Sequence, residues 1–189
     1  MSEPADVELM RLAGRGDERA FEKLVERHQN LVLGTVARML GSAEGAEDIA
    51  QQVFVRVWQS ASRYRPEAKF TTWLLTIVRN LVFNESRRRS RGFFQTLENE
   101  DGAALEIRDD SMPDAVAQLD ERELRSAIDV AIASLPEAQR LAIVLRRFEG
   151  MPYEEIAEVL KISVPAVKSL LFRARVDLRE RLKPFLQEG

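Results

Sequence analysis

No cysteine occurs among the 189 residues. Disulfides and thiolate metal sites are therefore excluded, and the chain has no thiol with which to sense redox state. One histidine, His28, leaves no imidazole cluster for a metal ion, and its expected role is structural. No segment approaches the ~20 consecutive apolar residues that span a bilayer. The opening stretch Met1-Ser2-Glu3-Pro4-Ala5-Asp6 is acidic and polar, unlike a signal peptide. The expectation is a cytoplasmic protein without direct membrane insertion. Strict alternation of apolar and polar residues is missing too, and short runs such as residues 53–57 fit a helical period better. There is no nucleophile–base pairing, glycine-rich phosphate loop or metal-ligand cluster. The chain is accordingly expected to be no enzyme, with no catalytic residues, no metal and no cofactor.

What is present describes a soluble globular chain, 45% hydrophobic and 31% charged. Its length suits one large domain or two small ones. The formal charge of −3 is unevenly spread. Residues 1–92 hold 15 basic and 12 acidic side chains, residues 93–120 hold one and eight, and residues 121–189 hold 12 and 11. The acidity thus comes from the middle segment, and the flanks are mildly basic, so a low overall pI does not argue against nucleic-acid binding.

Two helical blocks flank the acidic stretch, residues 17–91 and residues 119–185. Between them, Gly92-Phe93-Phe94 leads into residues 95–114, which contain Gly102, Pro113 and clustered acids. No sustained period runs through it, and it reads as a flexible linker. Helix boundaries are legible elsewhere. Asp17 can cap the helix after it, and Gly41 can close that helix after Leu40. Ser134 precedes Leu135-Pro136-Glu137, with proline near a first turn. Gly150 follows the apolar helix of residues 138–148. The fold class is all-α, in two small helical domains joined by a flexible acidic linker.

The strongest local signal lies at residues 153–175. A short helix, 153–160, is followed by Lys161-Ile162-Ser163 and a second helix from Val164, with Ser163 as its cap. Ile156, Ala157 and Leu160 face inward on the first helix. At 100° per residue, Val167, Leu170, Leu171 and Ala174 share one side of the second. Pro165, Lys168, Ser169 and Phe172 take the other, with Arg173 and Arg175 at its edges. This is a helix-turn-helix, whose second helix fits the DNA major groove. Lys168 and Ser169 lie where base edges are reached. Arg173 and Arg175 are placed for phosphates. An ordinary helix pair with a solvated face remains the alternative.

In the first block, residues 48–58 divide in the same way. Ala50, Val53, Phe54, Val57 and Trp58 share an inner face. Asp48, Gln51, Gln52, Val55 and Arg56 share the outer one, where the apolar Val55 suits docking of another protein's helices. Taken alone, that pattern is also that of a solvated face. Residues 60–69 form a loop with Arg63, Tyr64, Arg65, Pro66 and Lys69, a mixture that suits a pocket for an unstacked base. The next helix carries a stripe of Trp73, Thr76, Ile77, Asn80, Asn84 and Arg88, and ends in Arg87-Arg88-Arg89-Ser90-Arg91, a basic run able to neutralise phosphates. The alternative is that Trp73 and Ile77 are core and the arginines a solvated helix end.

These pieces occur in a fixed order: Asp48-x-x-Gln51-x-x-Phe54-x-x-x-Trp58, then Phe70-Thr71-Thr72-Trp73-Leu74 with Arg79-Asn80, then Leu135-Pro136-Glu137, then Tyr153-Glu154-Glu155-Ile156-Ala157, then Val167-Lys168-Ser169 and Arg173-Ala174-Arg175. The set resembles the extracytoplasmic-function sigma factors of the sigma-70 family, over residues 17–182. The resemblance implies a protein that binds core RNA polymerase and directs promoter-specific initiation under an anti-sigma factor. Residues 1–92 would be the domain that binds polymerase and reads and melts the minus-ten element, 93–120 the linker, and 121–189 the domain that reads the minus-thirty-five element. Asp48, Gln51, Gln52, Val55 and Arg56 would meet the clamp helices of the polymerase's largest subunit, while the second domain meets its flap region. Arg63, Tyr64, Arg65, Lys69, Trp73, Thr76, Asn80, Asn84, Arg87 and Arg88 would hold minus-ten DNA. Ser163, Pro165, Ala166, Lys168, Ser169, Phe172, Arg173 and Arg175 would hold minus-thirty-five DNA. The acidic linker would thread the polymerase cleft. Such a protein is cytoplasmic, and an anti-sigma factor could hold it at the inner membrane.

Two positions depart from the family pattern. Leu170 stands where many relatives carry a basic residue, and Lys168 where arginine is common, and lysine lacks the planar fork of arginine. Two other classes compete. A stand-alone helix-turn-helix regulator would explain residues 121–189 but not 48–91. An adaptor that binds polymerase or an anti-sigma factor without touching DNA would be indifferent to charge reversal at Lys168 and Arg173.

Overall fold

A computed structural model describes residues 5–97 and 116–186, with side chains described for 5–88 and 123–185. Most of the acidic linker, and any path it takes through a cleft, lies outside the described residues. Among those described, all regular structure is helical: α1 (Asp6–Ala13), α2 (Glu18–Leu40), α3 (Ala46–Ser60), α4 (Phe70–Leu97), α5 (Val116–Ala133), α6 (Glu137–Arg147), α7 (Tyr153–Leu160) and α8 (Val164–Leu186), with one 3-10 turn at Ala61–Arg63. None of these helices is long and apolar enough to cross a membrane.

The first block is built on α2. Its buried positions, Ala20, Leu24, His28, Val32, Thr35, Val36 and Met39, recur every three or four residues and so form one stripe. Leu9, Met10 and Ala13 of α1, the inner face of α3 and Phe70, Leu74, Leu75 and Val78 of α4 close over it. The two polar members of the stripe are each satisfied from another element, as burial demands. His28 Nε2 lies 3.0 Å from Asp6 Oδ2, and the Thr35 hydroxyl reaches Glu149 at 3.5 Å. Asp17 caps α2 by accepting from the Ala20 N–H at 3.1 Å. Gly41 ends it in the left-handed region, φ 73°, with its N–H on Ala37 O.

Four boundaries differ from expectation. Helix α1 precedes the expected start at residue 17, because its apolar face is only three residues long. Helix α4 continues through Gly92 to Leu97, since an interior glycine costs a helix only about 1 kcal/mol. Helix α5 begins at Val116 rather than Leu119. Ser134 finishes a helix instead of starting one: its hydroxyl donates to Ala131 O at 2.7 Å, and Pro136 takes the N-cap position of α6.

In the second block, α7 and α8 form the helix-turn-helix. Ile156, Ala157, Leu160, Val167, Leu171 and Ala174 are buried against Leu141, Ala142 and Leu145 of α6. The turn is tight: Lys161 sits at φ 57°, and the Ile162 N–H reaches back to Ala157 O at 3.1 Å, which satisfies carbonyls the helix end would otherwise orphan. Leu170 is half-buried against the core, in line with its inward assignment.

The blocks do not stand apart. Their apolar side chains form one contiguous core, and α2 packs on α5 and α6 while α4 packs on α7. Each block alone has little core to bury, and a fully buried leucine contributes roughly 1.5–3 kcal/mol, so the shared interior stabilises both.

Candidate nucleic-acid interface

Three surfaces carry the candidate residues. On α3, Ile49, Ala50, Val53 and Val57 are buried, and the outward positions Asp48, Gln51, Gln52, Val55 and Arg56 are all exposed. Val55 is 53% exposed, an isolated apolar side chain in a polar face. Phe54 is half-buried and Trp58 is 36% exposed, so the inner face is narrower than its sequence pattern. The Trp58 ring meets Phe21 edge-on at 5.0 Å and keeps its other rim in water.

The second surface is the loop after α3 and the start of α4. Pro66 ends any helical continuation, and Arg63, Arg65 and Lys69 project into solvent. Tyr64, Phe70 and Trp73 form a cluster of rings: Tyr64 meets Trp73 at 4.9 Å and Phe70 at 6.1 Å, both edge-on. The Tyr64 hydroxyl is buried without a hydrogen-bond partner. Burial first, and Asp6 second, raise its pKa above the usual tyrosine value. Trp73, Thr76 and Ile77 are half-buried, so this stripe serves both the core and a cleft. That cleft, about 540 Å³, opens between Arg63, Tyr64, Arg65, Trp73 and Thr76 on one side and Glu158 of α7 and Lys161 of the turn after it on the other. Farther along α4, Asn80, Asn84, Arg87 and Arg88 are exposed. Arg88 is already paired, its Nε 2.9 Å from Glu85 Oε2, which raises the guanidinium pKa. The side chains of Arg89 and Arg91 lie outside the described residues.

The third surface is α8. Ser163 caps it, accepting from the Ala166 N–H at 3.3 Å. Pro165, Lys168, Ser169, Phe172, Arg173 and Arg175 are exposed and Ala166 is half-buried. Phe172 is 67% exposed, a hydrophobic side chain able to meet a thymine methyl in a groove. The Ser169 hydroxyl donates to Pro165 O at 3.1 Å, leaving its lone pairs for an incoming donor. Arg175 also lines a groove of about 1020 Å³ between α2, α5, α6 and α8. Arg38, Arg125, Arg146 and Arg147 rim that groove over a floor of Ile128, Ile143 and Leu178.

The structure brings the loop residues, Trp73 and Thr76 together around one cleft. The α3 and α8 faces stay separate from it. Sequence reasoning missed Thr72, Glu155, Glu158 and Lys161. Thr72 is buried and lies 3.4 Å from Glu155 Oε2, a juxtaposition of residues 83 apart in sequence that only tertiary packing creates.

Comparison with known proteins gives a consistent match. Residues 24–92 match the family described as Sigma-70 region 2, and residues 125–178 match Sigma-70, region 4. The chain is 34% identical over 194 residues to the RNA polymerase sigma-H factor of Pseudomonas aeruginosa, covering 100% of both. It is 34% identical over 190 residues to the ECF RNA polymerase sigma-E factor of Escherichia coli, covering 96% of each. Among solved structures, CnrH in complex with the cytosolic domain of CnrY matches with a TM-score of 0.68 and 28% identity, over 96% of this chain and 99% of that one. The sigma factor RpoE, solved with the anti-sigma factor NepR from Bartonella quintana, shares the fold at 23% identity and a TM-score of 0.66, over 86% and 96%.

Proposed function

This chain belongs to the sigma-70 family, in its extracytoplasmic-function group of RNA polymerase sigma factors, and on that premise we propose how its surfaces divide the work of initiation. Sigma factors carry no catalytic chemistry of their own, and what they supply is contact. Residues 1–92 bind core polymerase and read the minus-ten element, residues 121–189 read the minus-thirty-five element, and residues 93–120 link them.

The α3 face of Asp48, Gln51, Gln52, Val55 and Arg56 docks on the clamp helices of the largest subunit, with Val55 as the apolar centre that a polar rim surrounds. Arg63, Tyr64, Arg65 and Lys69, with Trp73, Thr76, Asn80, Asn84, Arg87 and Arg88 on α4, hold minus-ten DNA. A flipped base stacks against the aromatic wall while cations hold the backbone. Ser163, Pro165, Ala166, Lys168, Ser169, Phe172, Arg173 and Arg175 dock α8 in the minus-thirty-five major groove. The second domain also meets the polymerase flap. The observation that carries this reading is the exposed Lys168–Ser169–Arg173 face of a capped helix-turn-helix, in the same chain as an aromatic and basic cleft at the start of α4.

Control falls to an anti-sigma factor. The basic rim and apolar floor of the groove lined by Arg146, Arg147 and Arg175 suit an acidic amphipathic helix, whose carboxylates meet the arginines while its apolar face covers the floor. The protein works in the cytoplasm, held at the inner membrane where its anti-sigma factor is membrane-bound.

Transcription in vitro with core polymerase, the purified chain and a pool of random promoter fragments tests the assignment. Starts that appear only with this chain, and that share two upstream elements, are expected. Core binding without starts would favour an adaptor, and no core binding would favour a stand-alone regulator. Charge reversal at Arg146 and Arg147 is expected to raise promoter output in cells carrying the native inhibitor while purified transcription is unchanged. Loss of both would assign the groove to the polymerase flap instead.

A further inference from the structure

Helix α1 reaches the loop before α4 by two routes. At its C-terminal end, Gly14 packs on the backbone of the 3-10 turn, where a Cβ would lie 2.7 Å from the Ala61 carbonyl oxygen. At its N-terminal end, Asp6 Oδ2 lies 3.0 Å from His28 Nε2, and Asp6 Oδ1 lies 2.5 Å from Nη1 of Arg27. A carboxylate paired with arginine only accepts, so Nε2 carries the imidazole hydrogen. The bond fixes the tautomer and the direction of the ring.

From His28 the contacts continue into the loop. The imidazole, 6% exposed, lies 5.0 Å from the Phe70 ring. Phe70 lies 5.7 Å from Trp73 and 6.1 Å from Tyr64, and Tyr64 meets Trp73 at 4.9 Å. Phe70 is buried, whereas Tyr64 and Trp73 line the open cleft. Tyr64 brings no hydrogen bond of its own, since its hydroxyl is covered and without a partner. Ring packing is what places it. The wall that the cleft presents is thus set from behind, by a histidine that another helix holds. Apolar residues of the same volume are often as stable as a covered polar pair. What Asp6 and His28 add is a direction.

We propose that Asp6 and His28 are positioning residues for base capture: they hold Phe70, and through it Tyr64 and Trp73, in the geometry that receives the flipped minus-ten base. This deepens the assignment of the loop and α4 as the minus-ten reader and rests on it. The charged groups acting on the imidazole are Asp6 from α1 and Arg27 from its own helix, and α4 covers it with the apolar Phe70. Tyr64, the titratable group of the loop, responds to Asp6. Burial, the larger influence, keeps the imidazole pKa below its usual 6.5. Proton uptake in acid sets a second cation beside Arg27 in a covered site, and the ring gives up its place against Phe70.

The test uses holoenzyme assembled from core polymerase and the full chain, on a promoter recovered from the random pool. With 2-aminopurine in the non-template minus-ten strand, fluorescence separates closed-complex binding from the isomerisation that frees the base. Asp6→Asn and His28→Phe should slow isomerisation roughly tenfold at about pH 7.5 and leave core affinity and closed-complex binding unchanged. His28→Gln keeps a donor toward Asp6 and does not titrate, so it should recover most of the rate. The rate of the unaltered chain relative to His28→Gln should then fall between about pH 7.5 and pH 5.5, and the ratio cancels the pH dependence of polymerase itself. Val36→Ala, farther along the same buried stripe of α2, controls for lost stability and should leave isomerisation unchanged. Full rates in Asp6→Asn and His28→Phe overturn the proposal, as does slowing no greater than that of Val36→Ala or a flat ratio across the pH range. Tyr64→Ala and Trp73→Ala separate the causes of failure. If they slow base capture while Asp6→Asn and His28→Phe do not, the positioning role alone falls. If neither pair slows it, the minus-ten assignment falls as well.

Discussion

The Arg140 guanidinium donates to the carbonyl oxygen of Met39 at 2.6 Å, so a residue at the start of α6 caps the last turn of α2 across 101 residues of sequence. The same guanidinium donates to Leu135 O at 3.1 Å and to Ala133 O. Burial, opposed by Glu137, lowers its pKa, and the hydrogen bonds offset that desolvation.

Arg140→Met keeps the aliphatic stem and strands three carbonyls. A loss of roughly 3 kcal/mol in urea unfolding is expected, since each orphaned buried acceptor carries a penalty of its own. Arg140→Lys should recover only part of it, because an ammonium cannot fork to three acceptors.

His28 gives the fold a pH dependence. Its ring lies 5.0 Å from the Phe70 ring and bonds Asp6, with Arg27 beside it. Burial, the larger influence, lowers the imidazole pKa below 6.5, and Asp6 opposes it. The folded chain therefore binds fewer protons than the unfolded chain just below that pH. Stability from this site is complete above 6.5 and is lost as pH falls through the lowered value. Glu149 acts oppositely: burial raises its pKa above 4.5, so stability is gained as pH falls through the raised value. In urea unfolding between about pH 7.5 and pH 5, the advantage of the unaltered chain over His28→Gln should shrink with acid. Against Glu149→Gln the difference should move the other way.

The legible parts of this protein were those that local chemistry decides. Asp17 and Ser163 announced their helices because a side-chain oxygen caps the N–H groups that follow. The outer faces of α3 and α8 followed from helical period alone, and Val55, Lys168 and Arg173 stand where that period put them, whereas Trp58, expected on the inner face of α3, lies exposed at its rim. What sequence could not convey was contact across blocks. Glu155 looked like an ordinary acid of a helix's first turn, and only packing shows it on Lys69. The Ser134 boundary failed for a related reason. Its hydroxyl had a carbonyl behind it and an N–H ahead, and the chain's course chose the carbonyl.

Two glycines hold close approaches. A Cβ on Gly14 would lie 2.7 Å from the Ala61 carbonyl oxygen, so α1 packs directly on the backbone of the 3-10 turn that leads from α3 into the loop before α4. Gly14→Ala should destabilise by about 1–3 kcal/mol, the range of an overpacked contact that rigid backbone cannot relieve. Gly41→Ala meets the Ala133 Cβ at 3.0 Å from a φ of 73°, and should lower the melting temperature by a similar mechanism with added backbone strain. Thermal unfolding followed by circular dichroism checks both.

Val55→Asp isolates polymerase docking from folding. The side chain is 53% exposed and touches no ion pair, so unfolding free energy should change by no more than about 0.5 kcal/mol. Affinity for core polymerase should fall by roughly tenfold, as when a charge is set into the apolar centre of an interface. Fluorescence titration of labelled chain with core enzyme measures it. An unchanged affinity would remove α3 from the interface.

Lys168 and Arg173 separate base reading from phosphate holding. Both are exposed on α8, but Lys168 lies one turn nearer the capped N-terminus, where a recognition helix enters the groove. If Lys168 contacts a base edge, Lys168→Ala should cost about 1–3 kcal/mol on the preferred promoter and little on promoters changed at one minus-thirty-five position. Arg173→Ala should weaken every promoter alike and reduce the slope of log affinity against log salt by about one. Holoenzyme binding to a library saturated over the minus-thirty-five element, repeated at several salt concentrations, reads both quantities at once. Exchange of the two signatures would mean that α8 is rotated in the groove, with Phe172 and Arg173 over the bases and Lys168 on the backbone. Identical, uniform losses would make the whole face a phosphate clamp and leave sequence choice to the minus-ten cleft.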